Sequence, residues 1–233
     1  METKNMTKKN LLIIGVSGGI GQKLLPYLNE YHVIGHYSQH KPASPPDLYS
    51  ADITQYQQVE QMVASIIKRF NTIDVVINAS GISIDSFTHK FDSNAWKKVI
   101  DVNLVGVFNV MRAVLPYMRE ANYGRIINLS SVVGQKPVIG TSAYSASKSA
   151  LTGFVKTVAI ENIGKGITCN NIALGYFEAG MMYRIPKDVQ EEIIKAIPIK
   201  RLGTIKELNS AIEFIINTEY YTGQTLNLNG GLI

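Results

Sequence analysis

Short apolar runs at residues 11–16, 33–37, 75–79, 126–129, 167–173 and 225–228 alternate along the chain with stretches whose apolar residues recur at spacings of three and four. The runs read as strands, and the intervening stretches 19–31, 55–70, 94–120, 142–164 and 206–217 read as helices. A strand, a helix and another strand in succession require a crossover, which makes the two strands parallel. Strands that are apolar on both faces need helices on both faces. The pattern therefore predicts one α/β domain over 11–233, a doubly wound parallel sheet flanked by helices, preceded by a flexible N-terminus at 1–10.

Two stretches break the rhythm. At 39–46 the sequence Lys41-Pro42-Ala43-Ser44-Pro45-Pro46 stands where the second crossover helix belongs, and its prolines forbid one. This crossover is expected to be a bare, shortened loop. Residues 175–203 are long for a structural connection and carry only a short helical pattern at 188–196, as substrate lids do.

Composition narrows the function classes. With 233 residues, 45% of them hydrophobic, the chain can bury a full core without disulfide or metal staples. The longest apolar run, residues 11–16, is six residues even counting Gly15, against the roughly 20 of a membrane span and the roughly 7 or more of a signal-peptide core, so a soluble, non-secreted protein with no membrane partner is expected. The single cysteine, Cys169, and the scattered His32, His36, His40 and His89 offer no disulfide and no zinc spacing. A reducing cytoplasm and no metal are the corresponding expectations. The net charge of +5 is concentrated partly in Lys4, Lys8 and Lys9, with no basic run or interleaved aromatic stripe. A solvated surface explains it better than a nucleic-acid partner.

Gly15-Val16-Ser17-Gly18-Gly19-Ile20-Gly21 ends the first strand and opens the first helix. There a dinucleotide pyrophosphate can rest on free backbone N–H groups, as in a Rossmann-like fold; the alternative is a merely structural tight turn. An acid at the end of the second strand would bind the ribose diol of NAD(H) and repel a 2′-phosphate. His36-Tyr37-Ser38-Gln39-His40-Lys41 contains none, which favours NADP(H) over NAD(H).

Tyrosine and lysine stand four apart three times, at Tyr37/Lys41, Tyr144/Lys148 and Tyr183/Lys187. Of these tyrosines only Tyr144 opens a long helix, thirteen residues after Ser131, which lies past the carboxyl end of a buried strand. A phenol of ordinary pKa about 10 works as an acid or base near neutrality only if something stabilises tyrosinate; an ammonium one turn away can do so. Ser131 would then hold a substrate carbonyl oxygen beside Tyr144. An amphipathic helix with Tyr packed and Lys solvated is the plainer alternative.

Together these residues resemble the short-chain dehydrogenase/reductase family across 11–233. The resemblance implies that Gly15, Ser17, Gly18, Gly19, Ile20, Gly21 and Ser38 bind the cofactor with Asp52-Ile53 at its adenine, and that Asn78-Ala79-Ser80-Gly81 and Phe177 line its site. It also implies that Ser131, Tyr144, Lys148 and Asn103 are catalytic, with Lys148 holding the nicotinamide ribose and Asn103 supporting a proton relay. Tyr221-Thr-Gly-Gln-Thr-Leu-Asn-Leu-Asn-Gly-Gly231 and Ile197-Pro-Ile-Lys-Arg-Leu-Gly203 are most similar to bacterial 3-oxoacyl-[acyl-carrier-protein] reductases. That implies NADPH-dependent reduction of an acyl-thioester substrate, with acyl carrier protein as a partner and a homotetramer or dimer built through the helices holding Asn103 and Tyr144. Asn-Ala-Ser-Gly in place of Asn-Asn-Ala-Gly, Leu174-Gly175 in place of Pro-Gly, Ala179 in place of threonine and Ala121-Asn122-Tyr123 in place of basic residues mark a divergent branch. Tyr176, Phe177, Met181, Met182 and Tyr183 either line an apolar pocket or seal the core. A free ketone or secondary alcohol as substrate, or a non-catalytic dinucleotide-binding subunit, are the competing readings.

Overall fold

The computed structural model describes residues 8–233, so most of the N-terminal segment expected to be flexible, 1–7, lies outside the described residues. In chain order the main elements are β1 (Asn10–Ile14), α1 (Gly19–Leu24), β2 (His32–Tyr37), β3 (Asp47–Ser50), α2 (Tyr56–Phe70), β4 (Val75–Asn78), α3 (Ser93–Ile100), α4 (Gly106–Ala121), β5 (Gly124–Ser131), α5 (Ser142–Asn162), β6 (Ile167–Leu174), α6 (Lys187–Ala196), α7 (Ile205–Asn217) and β7 (Thr225–Leu228). The strands form one parallel sheet in the order β3-β2-β1-β4-β5-β6-β7, with the strand order reversing between β1 and β4. This is the doubly wound arrangement the alternation predicts.

Alternate residues of each strand serve opposite layers. Leu12 and Ile14 pack with Val59, Met62, Val63 and Ile66 of α2, Val107, Val110 and Val114 of α4, and Leu151 and Val155 of α5. Leu11 and Ile13 pack on the other face with Leu24 of α1 and Leu208, Ile212, Ile215 and Ile216 of α7. Each such fully buried aliphatic side chain is worth roughly 1.5–3 kcal/mol relative to exposure, which is why the sheet rather than any one helix fixes the fold.

Three boundaries depart from the sequence reading. The first helix stops at Leu24 and passes into a 3₁₀ turn over Leu25–Tyr27, where Pro26 supplies no N–H to continue the ladder. After the proline-rich loop the chain forms an unforeseen strand, β3, paired with β2 from Ile34↔Asp47 to Tyr37↔Ser50. Asp47 is held there by Arg69 at 2.6 Å and His32 at 3.1 Å. Four residues with a charge at one end and a serine at the other carry no periodic signal, so pairing alone makes this edge strand.

The long helical stretch at 94–120 is also interrupted. Asp92 caps α3 by accepting from the Ala95 N–H at 2.8 Å, and a π-helical turn, Asp101–Val105, joins α3 to α4. The continuous span Ser93–Ala121 is long and apolar enough to cross a membrane, unlike any contiguous apolar run, but half of its most apolar stretch is buried within the fold. It packs against α2 and α5 as a core helix.

Candidate active site

The carboxyl ends of β4, β5 and β6 and the first turn of α1 border a cavity of about 500 Å³. Its walls include Ile20, Ala79 and Gly81 on the glycine-turn side, and Ser131, Tyr144 and Lys148 on the other. Phe177, Ala179, Met181, Met182, Ile185 and Ile193 close it from the lid. This is where an open α/β sheet leaves a crevice, at the reversal of strand order.

Close approach explains the turn's glycines. Gly15 has φ +83°, and a Cβ there would stand 2.4 Å from Ser80 Oγ. A Cβ on Gly21 would stand 2.6 Å from the Gly15 carbonyl, so helix and turn could not meet. Ser17, Gly18 and Gly19 are exposed, Ile20 is half-buried and lines the cavity, and α1 follows Gly18 at its N-cap with no side-chain cap and no acid in its first turn. A Cβ on Gly19 would meet Gly180 N at 2.6 Å, placing the lid backbone directly on the turn.

The other residues expected at a cofactor are less alike. Ser38 is exposed just past β2, and Asp52 is exposed with its Oδ1 accepting from Thr54 N at 2.9 Å and Thr54 Oγ1 at 2.8 Å. The Ile53 side chain is buried in the core against Gly106, so its backbone alone faces outward chemistry, and its carbonyl already accepts from Asn109 at 2.8 Å. Asn78 lies beneath the cavity: its Nδ2 donates to Asn128 Oδ1 at 2.7 Å, and Asn128 donates in turn to Asn171 at 3.2 Å. Phe177 is buried with its ring against Gly203. Tyr183 is a correction to the expected lid lining: it stays outside the cavity, largely exposed, with its hydroxyl on the Glu178 carbonyl at 2.9 Å and Lys23 4.7 Å from its ring centroid.

Ser131, Tyr144, Lys148 and Asn103 are brought together, all buried. Ser131 ends β5, and its Oγ accepts from Val133 N at 3.2 Å. The first turns of α5 are fastened to the segment after β5: Ser145 Oγ donates to the Val133 carbonyl at 2.8 Å, and Ser149 Oγ to the Gly134 carbonyl. The Lys148 ammonium donates to the Leu129 carbonyl at 2.7 Å and stands 5.7 Å from the Tyr144 ring centroid. Asn103 sits in the π turn, where its Oδ1 accepts from Ile82 N and its Nδ2 donates to the Ile82 carbonyl, both at 2.9 Å. It also donates to Ser147 Oγ at 3.1 Å. Its amide therefore clamps the segment after β4 to α5 rather than bonding its own helix.

The electrostatics differ from the sequence expectation. Burial pushes the Tyr144 phenol above its ordinary pKa; hydrogen bonding from Ser131 works in the opposite sense, and the negative charge of Asp85 adds to the rise. Burial also lowers Lys148 to about 8. Desolvation outweighs attraction here: the lysine is committed to a backbone carbonyl, and both groups are removed from water.

Three participants escaped the sequence reading. Asp85 lines the cavity, with Ser83 Oγ donating to it at 2.6 Å, on a loop joined to the start of α5 where Ser86 N donates to Gly140 O at 2.8 Å. Ser147 was hidden within a helical run. His36 stands in the polar run 36–41 at the end of the second strand, but its side chain is buried and turned toward Gly15, leaving Ser38, Gln39, His40 and Lys41 as the exposed polar groups there.

The sequence profile of the short chain dehydrogenase family matches residues 9–190. An acetoacetyl-CoA reductase of Allochromatium vinosum is 36% identical over 238 residues, covering 95% of this chain and 97% of its own. The 3-oxoacyl-[acyl-carrier-protein] reductase FabG of Staphylococcus epidermidis is 31% identical over 240 residues, covering 96% and 98%. The solved structure of ElxO with NADP bound superimposes with a TM-score of 0.88 at 26% identity, covering 97% of this chain and 99% of that one.

Proposed function

The chain belongs to the short-chain dehydrogenase family, and from that premise we propose that it is an NADPH-dependent reductase of 3-oxoacyl thioesters, yielding the 3-hydroxyacyl form. The convergence of Ser131, Tyr144 and Lys148 on one largely apolar cavity beside the glycine turn carries this reading. The cofactor fits the residues present: a turn whose glycines leave no Cβ between strand and helix, an uncapped start of α1, and an exposed β2 end bearing Ser38, His40 and Lys41 without an acid. Residues 15–21, Ser38, Asp52 and the Ile53 backbone would hold it, with Asn78, Ala79, Gly81 and Phe177 forming the inner wall. When bound, NADPH supplies a hydride. NADP in the ElxO structure supports the same preference.

Tyr144 donates the proton to the carbonyl oxygen of the substrate, and Ser131 hydrogen-bonds that oxygen and fixes its distance. A phenol held above its ordinary pKa stays protonated at neutral pH, which suits a proton donor in the reductive direction. Lys148, with a pKa near 8, is close enough to neutrality to pass a proton onward to Tyr144 and to bind the cofactor ribose. Asn103 keeps Ile82 and α5 in register and thereby positions Lys148 beside Gly81.

Among the described residues lining the cavity, Asp85 and Lys148 are the charged ones. With the lysine tied to a carbonyl, Asp85 disfavours a free carboxylate and favours the neutral thioester of a 3-oxo acid. The names of the two reductase relatives support coenzyme A or carrier-protein thioesters alike. NADPH oxidation by the purified protein across acetoacetyl-CoA, a 3-oxoacyl carrier protein, free acetoacetate and simple ketones tests the reading. Turnover of ketones alone would defeat it, and Asp85→Asn is expected to raise activity on acetoacetate relative to the thioester. A cytoplasmic homotetramer or dimer belongs to the same proposal, supported by exposed Trp96, Val105 and Phe108 along the Ser93–Ala121 helix and Ile160 on α5. Light scattering of the purified protein checks the assembly.

A further inference from the structure

We propose that His36 is a positioning residue for the cofactor turn: a neutral imidazole that ties Gly15 to the chain at Ala51 and makes cofactor affinity fall in acid. The inference rests on the nucleotide-binding reading of that turn. His36 is 1% exposed near the end of β2. Its main-chain carbonyl accepts from Gly15 N at 3.2 Å and Val16 N at 2.9 Å, and its ring Nδ1 lies 3.1 Å from the same Gly15 N. Its Nε2 stands 3.0 Å from the Ala51 carbonyl.

These contacts settle the proton's place. A carbonyl can only accept, so Nε2 carries the hydrogen; Gly15 N–H can only donate, so Nδ1 presents its lone pair. One ring thus joins the first residue of the glycine turn, held at φ +83°, to the residue before Asp52-Ile53. The two segments expected to meet the pyrophosphate and the adenine are braced from behind by a single side chain.

Protonating Nδ1 would aim one N–H at another. The groups facing the ring offer no rescue: from β1 the register partner of His36 is Ile14, from β3 it is Tyr49, and the glycine turn carries no titratable side chain. Asp52, past the end of β3, is exposed and accepts from Thr54. Burial accordingly lowers the imidazole pKa from its ordinary value, against the upward pull of the Ala51 carbonyl and Asp52. A proton then binds more readily once Gly15 has moved away, so acid favours a displaced turn.

The test measures NADPH and NADH dissociation constants by fluorescence titration from pH 5 to 8 on the wild type, His36→Asn and His36→Leu, with melting curves to confirm folding. Asparagine places an acceptor near Nδ1 but cannot titrate; leucine removes both ring contacts. The wild type is expected to lose affinity below the ordinary imidazole range by up to about tenfold per pH unit, and His36→Asn to lose less. His36→Leu should weaken binding about tenfold or more at every pH, with kcat at saturating cofactor nearly unchanged. The 2′-phosphate titrates identically in the wild type and His36→Asn and is missing from NADH, so neither comparison mistakes it for the histidine. Superimposed wild-type and asparagine profiles would overturn the inference while leaving the nucleotide site intact, as would unaltered affinity in the leucine variant. Absence of binding of either dinucleotide to the wild type would overturn both.

Discussion

The corner around Tyr144 and the loop after β2 lie at the same carboxyl edge of one sheet, yet they are built by opposite means. In the corner, Asn103, Ser131, Tyr144 and Lys148 are all buried, and the Asn103 amide and the Lys148 ammonium are each matched to a named backbone or side-chain group. In the loop, Ser38, Gln39, His40 and Lys41 are exposed, and no helix stands between β2 and β3. Chemistry that depends on a few tenths of an ångström is placed where packing enforces position. Recognition of a charged group at the rim is left to side chains that solvent can rearrange.

That contrast breaks most severely at Tyr144. Tyr144→Phe is expected to lower kcat by roughly 10²–10⁴-fold with NADPH affinity nearly unchanged, read from stopped-flow oxidation and fluorescence titration. Lys148→Met should also abolish most turnover, and it separates catalysis from stability. The lysine's pKa falls from 10.5 to about 8 on folding, so below pH 8 the folded chain bears the full cost of a buried charge. Between about pH 8 and 10.5 the unfolded chain retains a proton that the folded one has released, and wild-type stability rises. The methionine variant should therefore melt higher at pH 7, and its advantage should shrink as pH climbs through that window.

Asn103→Leu should act more mildly on chemistry, through position. It leaves the Ile82 N–H and carbonyl without their partners, a loss of about 1–3 kcal/mol measurable by urea unfolding, and it should lower kcat more than it raises KM for NADPH. The smallest effect is expected on the exposed side. Lys41→Ala should raise KM for NADPH by no more than about tenfold, leave NADH unaffected and lose its influence as salt is added. A large or salt-independent effect at Lys41 would erase the contrast between the two regions.

The same division governed what could be read without coordinates. The glycine turn, Ser131 and the Tyr144/Lys148 pair are local patterns on elements whose periodicity is strong, and they fall where expected. β3 carries no pattern of its own, and it exists because β2 offers a free edge beside it. The π turn at Asp101–Val105 is masked by an uninterrupted helical periodicity, although it is what turns Asn103 toward Ile82. Tyr183 resembles any aromatic lid residue in sequence, and its partners outside the cavity, Lys23 on α1 and the Glu178 carbonyl, are not visible there. Asp85 is held at the cavity because its neighbour Ser86 bonds Gly140, 54 positions further on, and His36 acts through Gly15 and Ala51 on either side of it, relations that composition and spacing do not encode.

Asn78, Asn128 and Asn171 occupy one transverse row of the sheet, and the row ends at Thr225, whose hydroxyl lies 3.3 Å from Asn171 Nδ2. Sliding any one of these strands by a pleat would set an amide opposite hydrocarbon and strand its hydrogen bonds in a dry interior. The row is thus an alignment key. Ser131 follows Asn128 by three residues, Gly81 follows Asn78 by three, and Gly175 follows Asn171 by four; misthreaded sheets, which would carry the same residues at the wrong heights, are penalised before the pocket above them can close.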